Sequence, residues 1–598
     1  MPQISKASQV AALANDIVSV KDFGAGGDGV VNDTVALQTA LDSGTKCVVV
    51  HSDSIIRIDT EISIPDGVDL TINGTIQGLG RLTALGSSTI SGIGTVACGN
   101  VWQLKATAGD VNIHGLTFGK GATYGVYVYA ESTINSLKIH NNSFSGNQYG
   151  VLKNNNSDIP VYSVSITDNL IENSAGDGIE WNIGTTDERI VISNNTVYNT
   201  AGTIVNSGLG IGVAGKAYTH DNDPANQTKY VTITDNFVKG AGQGIHCETV
   251  GKVKISGNHV SDCTASFAGP GLADIGAITT YQVSDCSITD NYIYDCDSAI
   301  NVLFGVLGGS FIGSPDNINI SGNSVINSGQ VNTTGAPYTV GGYTPDDIPT
   351  ITIKNNSLMN SSISHRAACN LFIESNTIST LSGDTGLTVD FRATSFGDPD
   401  YRPAYNLFFV VKNNSVYDRM GRVNVSFSNI DAASGYTGNI KVHQLGNSFT
   451  IPVTDSFAQG SGRTVSTASA NGFPYGIEFQ AGDIVVNTAT PAMYIVTTAG
   501  SRNKSSDLCT ITDEAAGVVR TANYIWTADD NKEWGQAITL TAGATVITGY
   551  VDRVYIGSGQ YRLDVVDASG DPVDLSAIGN ETSATITATN PVVYTQVV

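Results

Sequence analysis

Two glutamates and a histidine recur at equivalent positions of short, similar segments of the chain. The segments GIEWN (178–182), GIGVA (210–214) and GIHCE (244–248) align residue for residue. Side chains alternate along a strand, so if the second residue of each segment faces a core, the third and fifth face outwards. The outward positions are Glu180 and Asn182, then Gly212, then His246 and Glu248. Adjacent strands lie about 4.8 Å apart, which separates Glu180 from His246 by roughly 10 Å and from Glu248 by about 12 Å.

This pattern predicts a trough with carboxyl groups on both sides of a bare glycine floor. Glycoside hydrolysis needs one protonated carboxyl group as acid and one ionised group as base or nucleophile. We predict Glu180 and Glu248 as this pair, with Asp177, at the edge of a turn, able to replace Glu248. The ladder spacing favours an inverting reaction. His246 and Asn182 are predicted to contact substrate, although an outward Glu or His on a strand is also commonly a plain surface residue.

Two other stretches compete for a binding role. The segment TVDFRATSFGDPDYRP (388–403) contains Asp390 and Arg392, which we predict as substrate-binding residues, because arginines hold acidic sugars well. The alternative for this segment is a solvated loop. The segment 214–227 interrupts the repeat next to the trough and is predicted to form a groove wall.

The elements that must position these residues come from a repeat between about residues 65 and 450. Segments such as SVSITDNLI and YVTITDNFV each end in an asparagine turn, and successive asparagines are 27, 26, 41, 22, 33, 32 and 33 residues apart. A period-2 strand pattern that ends in a turn, at spacings from about 22 residues, favours the coils of a parallel β-helix. Asparagines stacked at the turns can hydrogen-bond from coil to coil. The asparagines are Asn142, Asn169, Asn195, Asn236, Asn258, Asn291, Asn323 and Asn356.

The aligned strands also predict which residues form the core. The second residue of each segment should face inwards, as should Trp181. Lys153 falls on an inward position, so we expect the register of its coil to be shifted by one. The residues predicted for the inward column are Val151, Ile179, Ile211, Ile245, Ala277 and Ile300.

The repeat divides the chain into four predicted regions. Residues 1–44 form a lead-in, helical at its start (1–17), and a capping helix over NDTVALQTAL, with Asn32 or Asp33 as N-cap. The β-helix covers 45–450 and a linker 451–470. Alternating strands in 471–598 predict an antiparallel, β-sandwich-like domain for trimerisation, carbohydrate binding or both. The fold class is thus all-β.

Composition limits the possible partners. The net charge is −24, and so nucleic acid and anionic membranes would be repelled. We find no apolar run that would span a membrane and no signal peptide. The eight cysteines are scattered without zinc-ligand spacing, and we predict no metal and no cofactor.

Two motifs carry a resemblance to known families. The segment VKDFGAGGDGVVNDTVALQTAL resembles the N-terminal signature of the pectate-lyase-like superfamily of right-handed β-helices. The stretch from GDGIEWNIG through GLGIGVAGKAY to GQGIHCETVGKV resembles bacteriophage tailspike depolymerases, which cut bacterial capsular or lipopolysaccharide chains. The G-H-G and R-I-K signatures of polygalacturonases are absent. The arginine-proline signature of calcium-dependent pectate lyases is absent as well. The two resemblances together cover about the first three quarters of the chain.

The resemblance implies a homotrimer on a phage tail that acts at the bacterial cell surface. Its suspected catalytic residues would be Glu180 and Glu248. Tailspikes carry an N-terminal virion-binding head; only a short lead-in precedes the repeat here, which implies attachment through an adaptor protein or a missing head.

Three activities follow as expectations. The first is an endoglycosidase that hydrolyses a bacterial surface polysaccharide. The second is a lyase that acts by β-elimination on a uronic-acid glycan, with His246 or a tyrosine as base and Arg392 near the carboxylate. The third is a non-catalytic adhesin; an esterase finds no convincing Ser/His/Asp arrangement.

Overall fold

The protein is seen here as a computed structural model, in which the longest described stretches lie between residues 16 and 418. The described residues are 16–119, 121–154, 159–184, 187–215, 228–281, 283, 285–305, 317–336, 350–367, 369–380, 386–390, 407–418, 425–428, 440–445, 447–449, 453–455, 464–467, 478–479, 484–487, 492–496, 500–501, 506–510, 524–527, 537–542, 545–557, 560–566, 584–588 and 594–597.

The strands wind into a right-handed parallel β-helix, in which each coil adds one strand to each of three long sheets. The first sheet has the strands Ile17–Ser19, Cys47–Val50, Asp69–Ile72, Ser88–Ser91, Gly109–His114, Ile134–His140, Val161–Thr167, Arg189–Ser193, Thr228–Thr234, Val250–Ser256, Asp285–Thr289, Asn317–Ser321, Thr350–Lys354, Asn370–Glu374, Leu407–Lys412 and Ile440–Leu445.

The second sheet follows the asparagine turns. It has the strands Asp28–Asn32, Ile55–Arg57, Thr75–Gly78, Thr95–Cys98, Thr117–Phe118, Ser143–Ser145, Leu170–Glu172, Thr196–Tyr198, Phe237–Lys239, His259–Ser261, Tyr292–Tyr294, Ser324–Ile326, Ser357–Met359, Thr377–Thr380, Ser415–Asp418 and Ser448–Phe449.

The third sheet carries the candidate site, and seven of its strands are labelled here. They are β1 (Trp102–Ala106), β2 (Tyr124–Val128), β3 (Tyr149–Asn154), β4 (Ile179–Gly184), β5 (Leu209–Gly215), β6 (Gln243–Glu248) and β7 (Gly276–Tyr281). The sheet also has the strands Ile62–Ile64 and Leu82–Ala84 before these, and Ile300–Gly305, Gln330–Ala336, Ser362–Arg366, Leu387–Asp390, Val425–Ser428 and Val453–Asp455 after them.

Aliphatic side chains stacked from coil to coil form the core. Ile179 pairs with Ile211, and Ile211 with Ile245, and all three are completely buried. The next partner is Ile278, so the prediction of Ala277 for this column was wrong by one residue. The sequence GAITT has two consecutive apolar residues, and both are buried, but only Ile278 pairs with Ile245 and continues the column.

Lys153 is inward without any shift of register, since it pairs with Trp181 while Val151 pairs with Ile179. The predicted shift of this coil was therefore wrong. Nζ of Lys153 lies 3.0 Å from Oδ2 of Asp187, and both side chains are 1% exposed. The same carboxylate accepts hydrogen bonds from Nε1 of Trp181 (2.8 Å) and from the amide of Val161 (2.9 Å). A buried charge survives here because its partner compensates it.

The predicted asparagine ladder is present. Nδ2 of Asn195 donates to Oδ1 of Asn236 at 3.0 Å, and Asn236 donates to Asn258 at 3.0 Å in the same way. The residue before the ladder asparagine adopts a left-handed conformation, as at Asp235 (φ 57°), where Asn, Asp and Gly are favoured. The same side-chain bonds run through all eight predicted asparagines and on to Asn376.

The predicted capping helix is α1 (Thr34–Leu41), which buries Leu37, Ala40 and Leu41 against the first coil. Asp33 is the N-cap residue, yet its side chain does not cap α1. Instead its carboxylate accepts the amides of Gly26 (2.7 Å) and Gly27 (3.2 Å), which fixes the glycine-rich turn. Oδ1 of Asn32 accepts the amide of Thr34 at 3.0 Å in its place.

The other described helical segments are 3₁₀ turns at Val20–Phe23 and Ala265–Phe267. In the lead-in, residues 1–15 lie outside the described part, and Ile17–Ser19 is a strand rather than helix because it pairs with Cys47–Val49. No helix of the described residues is long and apolar enough to cross a membrane.

The predicted antiparallel strands of the C-terminal region are also found. Six of them, Ser506–Thr510, Tyr524–Thr527, Ala537–Ala542, Thr545–Gly557, Gln560–Val566 and Ala584–Ala588, close into a barrel. Thr464–Thr467, Ile484–Asn487, Ala492–Val496 and Tyr594–Val597 form a four-stranded sheet, and Glu478–Phe479 pairs with Gly500–Ser501.

The chain separates into two compact units, which interleave in sequence. One comprises Met1–Phe408, Val416–Ile440 and Val453–Ser456, and the other Phe409–Ser415, Lys441–Pro452 and Phe457–Val598. The division predicted at the linker 451–470 stays a prediction.

Candidate active site

The predicted trough lies on the outer face of β4, β5 and β6. Glu180 of β4 pairs with Gly212 of β5, and Gly212 pairs with His246 of β6. Glu248 lies opposite Ala214, two residues further along the same strands. The three-strand register inferred from the aligned segments is therefore confirmed, with a glycine between the acidic strands.

Glycines at the start of these strands let the chain bend tightly over the core. A Cβ atom on Gly178 would lie 2.6 Å from Cγ1 of Val197 and 2.6 Å from the carbonyl oxygen of Gly210. No side chain fits there, which explains the recurrent glycine before the inward isoleucine. At Gly212 a Cβ atom would lie 2.7 Å from Cδ1 of Leu209, so the floor of the trough is already in contact with its side wall.

Asp177 and Glu180 form a hydrogen-bonded pair of carboxyl groups at one side of the trough. Burial raises the pKa of Glu180 to about 8, and the neighbouring charge of Asp177 adds to this effect. Burial also raises the pKa of Asp177, to about 6, although the amides of Leu209 (2.7 Å) and Gly208 (2.8 Å) donate to its Oδ1 and favour the ionised form. The pair therefore holds a proton near neutral pH, and that proton resides on Glu180.

Glu248 lies across the glycine floor, and its pKa is shifted in the opposite direction to that of Glu180. Its Oε2 is 3.4 Å from Nε2 of His246, and this hydrogen bond lowers the pKa of Glu248 below its ordinary value. The Glu248 side chain is 42% exposed, while that of His246 is 12% exposed. The site thus combines a carboxylic acid that keeps its proton with a carboxylate that loses it readily.

A cavity of about 330 Å³ joins these groups. Glu180, Asn182, Gly212, His246 and Glu248 all line it. Asn182 donates from Nδ2 to Oε1 of Glu180 at 3.0 Å, so its first role is to orient that carboxyl group. The remaining lining residues that bear on the argument are Asn206, Leu209, Gln243, Leu272, Ala273 and Tyr281.

The wall formed by the loop between Ser261 and Gly276 was missed by the sequence analysis. Leu272 and Ala273 come from this loop, and Nε2 of Gln243 donates to the carbonyl of Ala273 at 2.7 Å, which fixes the loop against β6. The signal in the sequence was the 33-residue interval between Asn258 and Asn291, long enough for an extra loop. The wall predicted at 214–227 lies, from residue 216 onwards, outside the described residues.

Two buried polar atoms of the cavity residues have no hydrogen-bond partner among the described residues. They are Nδ1 of His246 and Oε1 of Gln243. Buried polar atoms in folded proteins are nearly always paired, so these two are exceptions beside the cavity.

Two tyrosines flank the carboxyl pair on the N-terminal side. Burial raises the pKa of Tyr149, and the charges of Asp177 and Glu180 add to it. The pKa of Tyr124 is raised by burial and by Glu180. Both phenols are therefore held protonated and can donate hydrogen bonds, and little phenolate is present at neutral pH to act as base.

Asp390, another predicted binding residue, does not line this cavity. It ends the strand Leu387–Asp390, seven strands along the third sheet from β4, or about 34 Å away. Its substrate-binding role, at a separate place on the β-helix, stays a prediction. Arg392 lies outside the described residues. Within those residues no cluster of three His, Cys, Asp or Glu side chains could hold a metal ion.

The fold and the site define a parallel β-helix protein with a carboxyl-lined cavity on its third sheet. The chain belongs to the family described as "Colanic acid biosynthesis WcaM", whose model matches residues 1–386. The protein of that name from Shigella flexneri is 25% identical over 298 residues, which cover 48% of this chain and 62% of the relative. The Salmonella typhimurium protein is 23% identical over 316 residues, covering 51% and 65%. The chain thus spans less than two thirds of either relative.

Solved structures with a similar course of the chain include tailspike proteins and polysaccharide-modifying enzymes. A tailspike mutant of E. coli bacteriophage HK620 in complex with pentasaccharide has a TM-score of 0.37 at 12% identity, covering 97% of this chain and 94% of its own. The Dettilon tailspike protein has 0.34 at 14%, covering 98% and 96%. The A-module of Azotobacter vinelandii mannuronan C-5 epimerase AlgE4 has 0.28 at 14%, covering 75% and 100%. TM-scores this low carry no argument about function.

Proposed function

We propose that the protein is an endo-acting glycoside hydrolase of a bacterial polysaccharide, with Glu180 as general acid and Glu248 as general base. The observation that carries this proposal is the divergence of their pKa values across one cavity. Environments that shift the pKa values of two carboxyl groups in opposite directions assign the acid role to one group and the base role to the other. Asp177 acts as a positioning residue, because its hydrogen bond and charge keep the proton on Glu180.

In the proposed reaction, Glu180 donates its proton to the glycosidic oxygen as the bond to the anomeric carbon breaks. Glu248 takes a proton from the water that attacks this carbon from the opposite face. The two strands lie two ladder steps, or about 10 Å, apart, and the glycine floor leaves the space between them to the sugar and the water. This spacing supports inversion of configuration.

A lyase is the second candidate class, and the surroundings of the site argue against it. Elimination needs a base beside the sugar and a cation beside its carboxylate. Tyr124 and Tyr149 have raised pKa values, so both are protonated at neutral pH and little phenolate is present to act as base. None of the described residues that line the cavity is Arg or Lys.

The substrate and biological setting rest on the comparisons and on the tailspike resemblance. The family and its curated relatives are named for colanic acid biosynthesis, so we take colanic acid as the first substrate to test. Capsular and O-antigen polysaccharides follow, since the resemblance implies a homotrimeric spike attached to a phage tail or adaptor. Cleavage of colanic acid alone would favour a role in that pathway, and cleavage of a capsular or O-antigen chain would favour the virion.

Mass spectrometry of released oligosaccharides tests the reaction. The purified full chain is incubated with colanic acid and with a panel of capsular and O-antigen polysaccharides. Hydrolysis yields fragments that carry one added water. Fragments with an unsaturated end would replace the hydrolase with a lyase, and binding without fragments would leave a non-catalytic adhesin.

A further inference from the structure

The outer face of the third sheet carries a cluster of aromatic residues on the three strands that precede the carboxyl pair. We call Trp102, Tyr124, Tyr127, Tyr129 and Tyr149 the aromatic track. The ring centroids of Tyr124 and Tyr127 lie 4.9 Å apart, those of Tyr127 and Tyr129 5.9 Å, and those of Tyr124 and Tyr149 5.6 Å. Trp102 joins them, 6.0 Å from Tyr127. The rings therefore form one continuous surface rather than scattered contacts.

The aromatic track is continuous with the candidate active site. Tyr127 pairs with Leu152, which is buried, and Leu152 pairs with Glu180, so all three lie in one row across the sheet. In the neighbouring row Trp102 pairs with Tyr124, and Tyr124 with Tyr149, whose pKa responds to the charges of Asp177 and Glu180. From β1 to β4 is three ladder steps, or about 14 Å.

The track is partly open to solvent, although its rings pack on one another. Tyr129 is 39% exposed, and the other four rings are half-buried. These rings are not needed for the core of this strand, which the inward residues Val126 and Val128 already fill.

The charges around the track compensate one another. The guanidinium of Arg81 lies 4.0 Å above the Trp102 ring and binds Glu61 at 2.9 Å. Nζ of Lys105 lies 5.1 Å from the Trp102 ring and binds Glu131 at 3.0 Å. Because each cation is paired, the surface offers aromatic faces and hydroxyl groups rather than a net positive charge, and it suits neutral sugars.

We propose that the aromatic track binds the glycan chain next to the cleavage site, with neutral sugar units stacked on Tyr124, Tyr127 and Tyr129. The weakly positive C–H groups of a pyranose pack well on the negative face of an aromatic ring. This inference rests on the proposed function for its ligand class, and it adds that substrate is held mainly on the N-terminal side of Glu180. The enzyme then prefers long chains to short ones.

The test compares the double variant Tyr127→Ala/Tyr129→Ala with wild type and with two controls. Tyr127→Phe/Tyr129→Phe keeps the rings, and Tyr162→Ala removes a tyrosine that is 42% exposed on the first sheet, outside the track. Affinity electrophoresis of the full chains, in gels containing colanic acid or a capsular or O-antigen polysaccharide, measures binding. Size-fractionated fragments of the polysaccharide that retards wild type then give the dependence on chain length.

The alanine variant should bind the long chain roughly tenfold more weakly, while the Phe pair and Tyr162→Ala match wild type. Affinity for the shortest bound fragments should change little. If wild type and the alanine variant bind long chains equally, the proposal that the aromatic track binds glycan is overturned. The same holds if no polysaccharide retards wild type in the gel. Binding that depends on the track but releases no fragments would instead overturn only the hydrolase.

Discussion

The side chains of Asp177 and Glu180 are hydrogen-bonded to each other, although the two residues are only three apart in the sequence. Gly178 lies between them, at a position where a Cβ atom would lie 2.6 Å from the carbonyl oxygen of Gly210, so no side chain fits there. Two carboxyl groups in such contact cannot both ionise cheaply. One proton is therefore retained at neutral pH in a cavity that also contains an ionised carboxylate.

Replacement of Glu180 by Gln should abolish hydrolysis, because the amide keeps the shape of the side chain and cannot donate an acidic proton. We expect at least about a 100-fold loss of kcat, in keeping with the usual contribution of general acid catalysis. The measurement is reducing-end release from the polysaccharide that wild type cleaves. Glu172→Gln, on the second sheet, is the matched control and should retain full activity. A Glu180→Gln enzyme with wild-type kcat would remove Glu180 from the reaction.

The activity should fall on the alkaline side of about pH 8. Glu180, whose pKa is raised to about 8, loses its proton there and with it the ability to protonate the leaving oxygen. On the acid side, activity should persist until the pH falls below 4.5, because the pKa of Glu248 is lowered from that value. The dependence of kcat/KM on pH reports both limits in the free enzyme. Activity that climbs steadily from about pH 8 to about pH 10 would instead indicate base-catalysed elimination.

The proton retained on Glu180 should also make the free energy of unfolding depend on pH. A carboxyl group with a raised pKa in the folded state binds more protons than in the unfolded state, so the free energy of unfolding falls as the pH rises from about 4.5 to 8. A difference of one between the folded-state and unfolded-state pKa corresponds to about 1.4 kcal/mol. Glu180→Gln should therefore be more stable than wild type at about pH 8.5 and equal to it at about pH 4. Urea denaturation followed by tryptophan fluorescence measures the difference, and parallel curves for the two proteins at both pH values would contradict it.

Lys153→Met should destabilise the β-helix by about 3–5 kcal/mol, because it leaves the Asp187 carboxylate buried without its cation. The double variant Lys153→Met/Asp187→Asn removes both charges and should lose less, although the single amide oxygen of Asn can accept from only one of Trp181 and Val161. The same denaturation assay compares the three proteins. A single variant as stable as wild type would show that other groups compensate Asp187.

Asn236→Ala should lower the free energy of unfolding by about 3 kcal/mol, because it leaves the buried amide of Asn195 without its acceptor and removes one of the bonds from Nδ2 of Asn195. Asp235→Asn is the matched control one residue earlier, where the left-handed turn accepts either residue, as it accepts Asn194 and Asn355. Calorimetry of both variants should therefore separate the ladder from the turn. Equal losses in the two variants would place the stability in the turn itself.

Much of the fold was predictable because every coil of a β-helix repeats the same core packing and the same turn. The isoleucine column and the asparagine turns recur often enough that the pairing of Glu180, Gly212 and His246 follows from alignment alone. The buried Lys153–Asp187 pair was not predictable, because Asp187 comes from a different strand connection than the repeat positions. The loop wall of Leu272 and Ala273 was missed for the same reason, since it interrupts the repeat instead of following it.

The site residues were found more easily than their roles. Alignment identified Glu180 and Glu248 as outward, yet it gave Asp177 only as a spare acid. Its contact with Glu180 joins two positions that are not equivalent in the repeat, so no periodicity reveals it. The aromatic track was visible as the alternation in YGVYVYA, and it passed unnoticed because tyrosine is common throughout the sequence.

The glycine strand between the two acidic strands sets the distance between them as a whole number of strand spacings. Strands of a stacked sheet can be separated only by whole steps of about 4.8 Å, so the gap between opposing groups can change only by the gain or loss of an entire coil. Point mutations around Gly212 can change the side chains that line the gap, but they cannot change the number of strands that separates its two sides. Evolution of such a protein towards a different reaction geometry would therefore proceed by the insertion or deletion of whole coils.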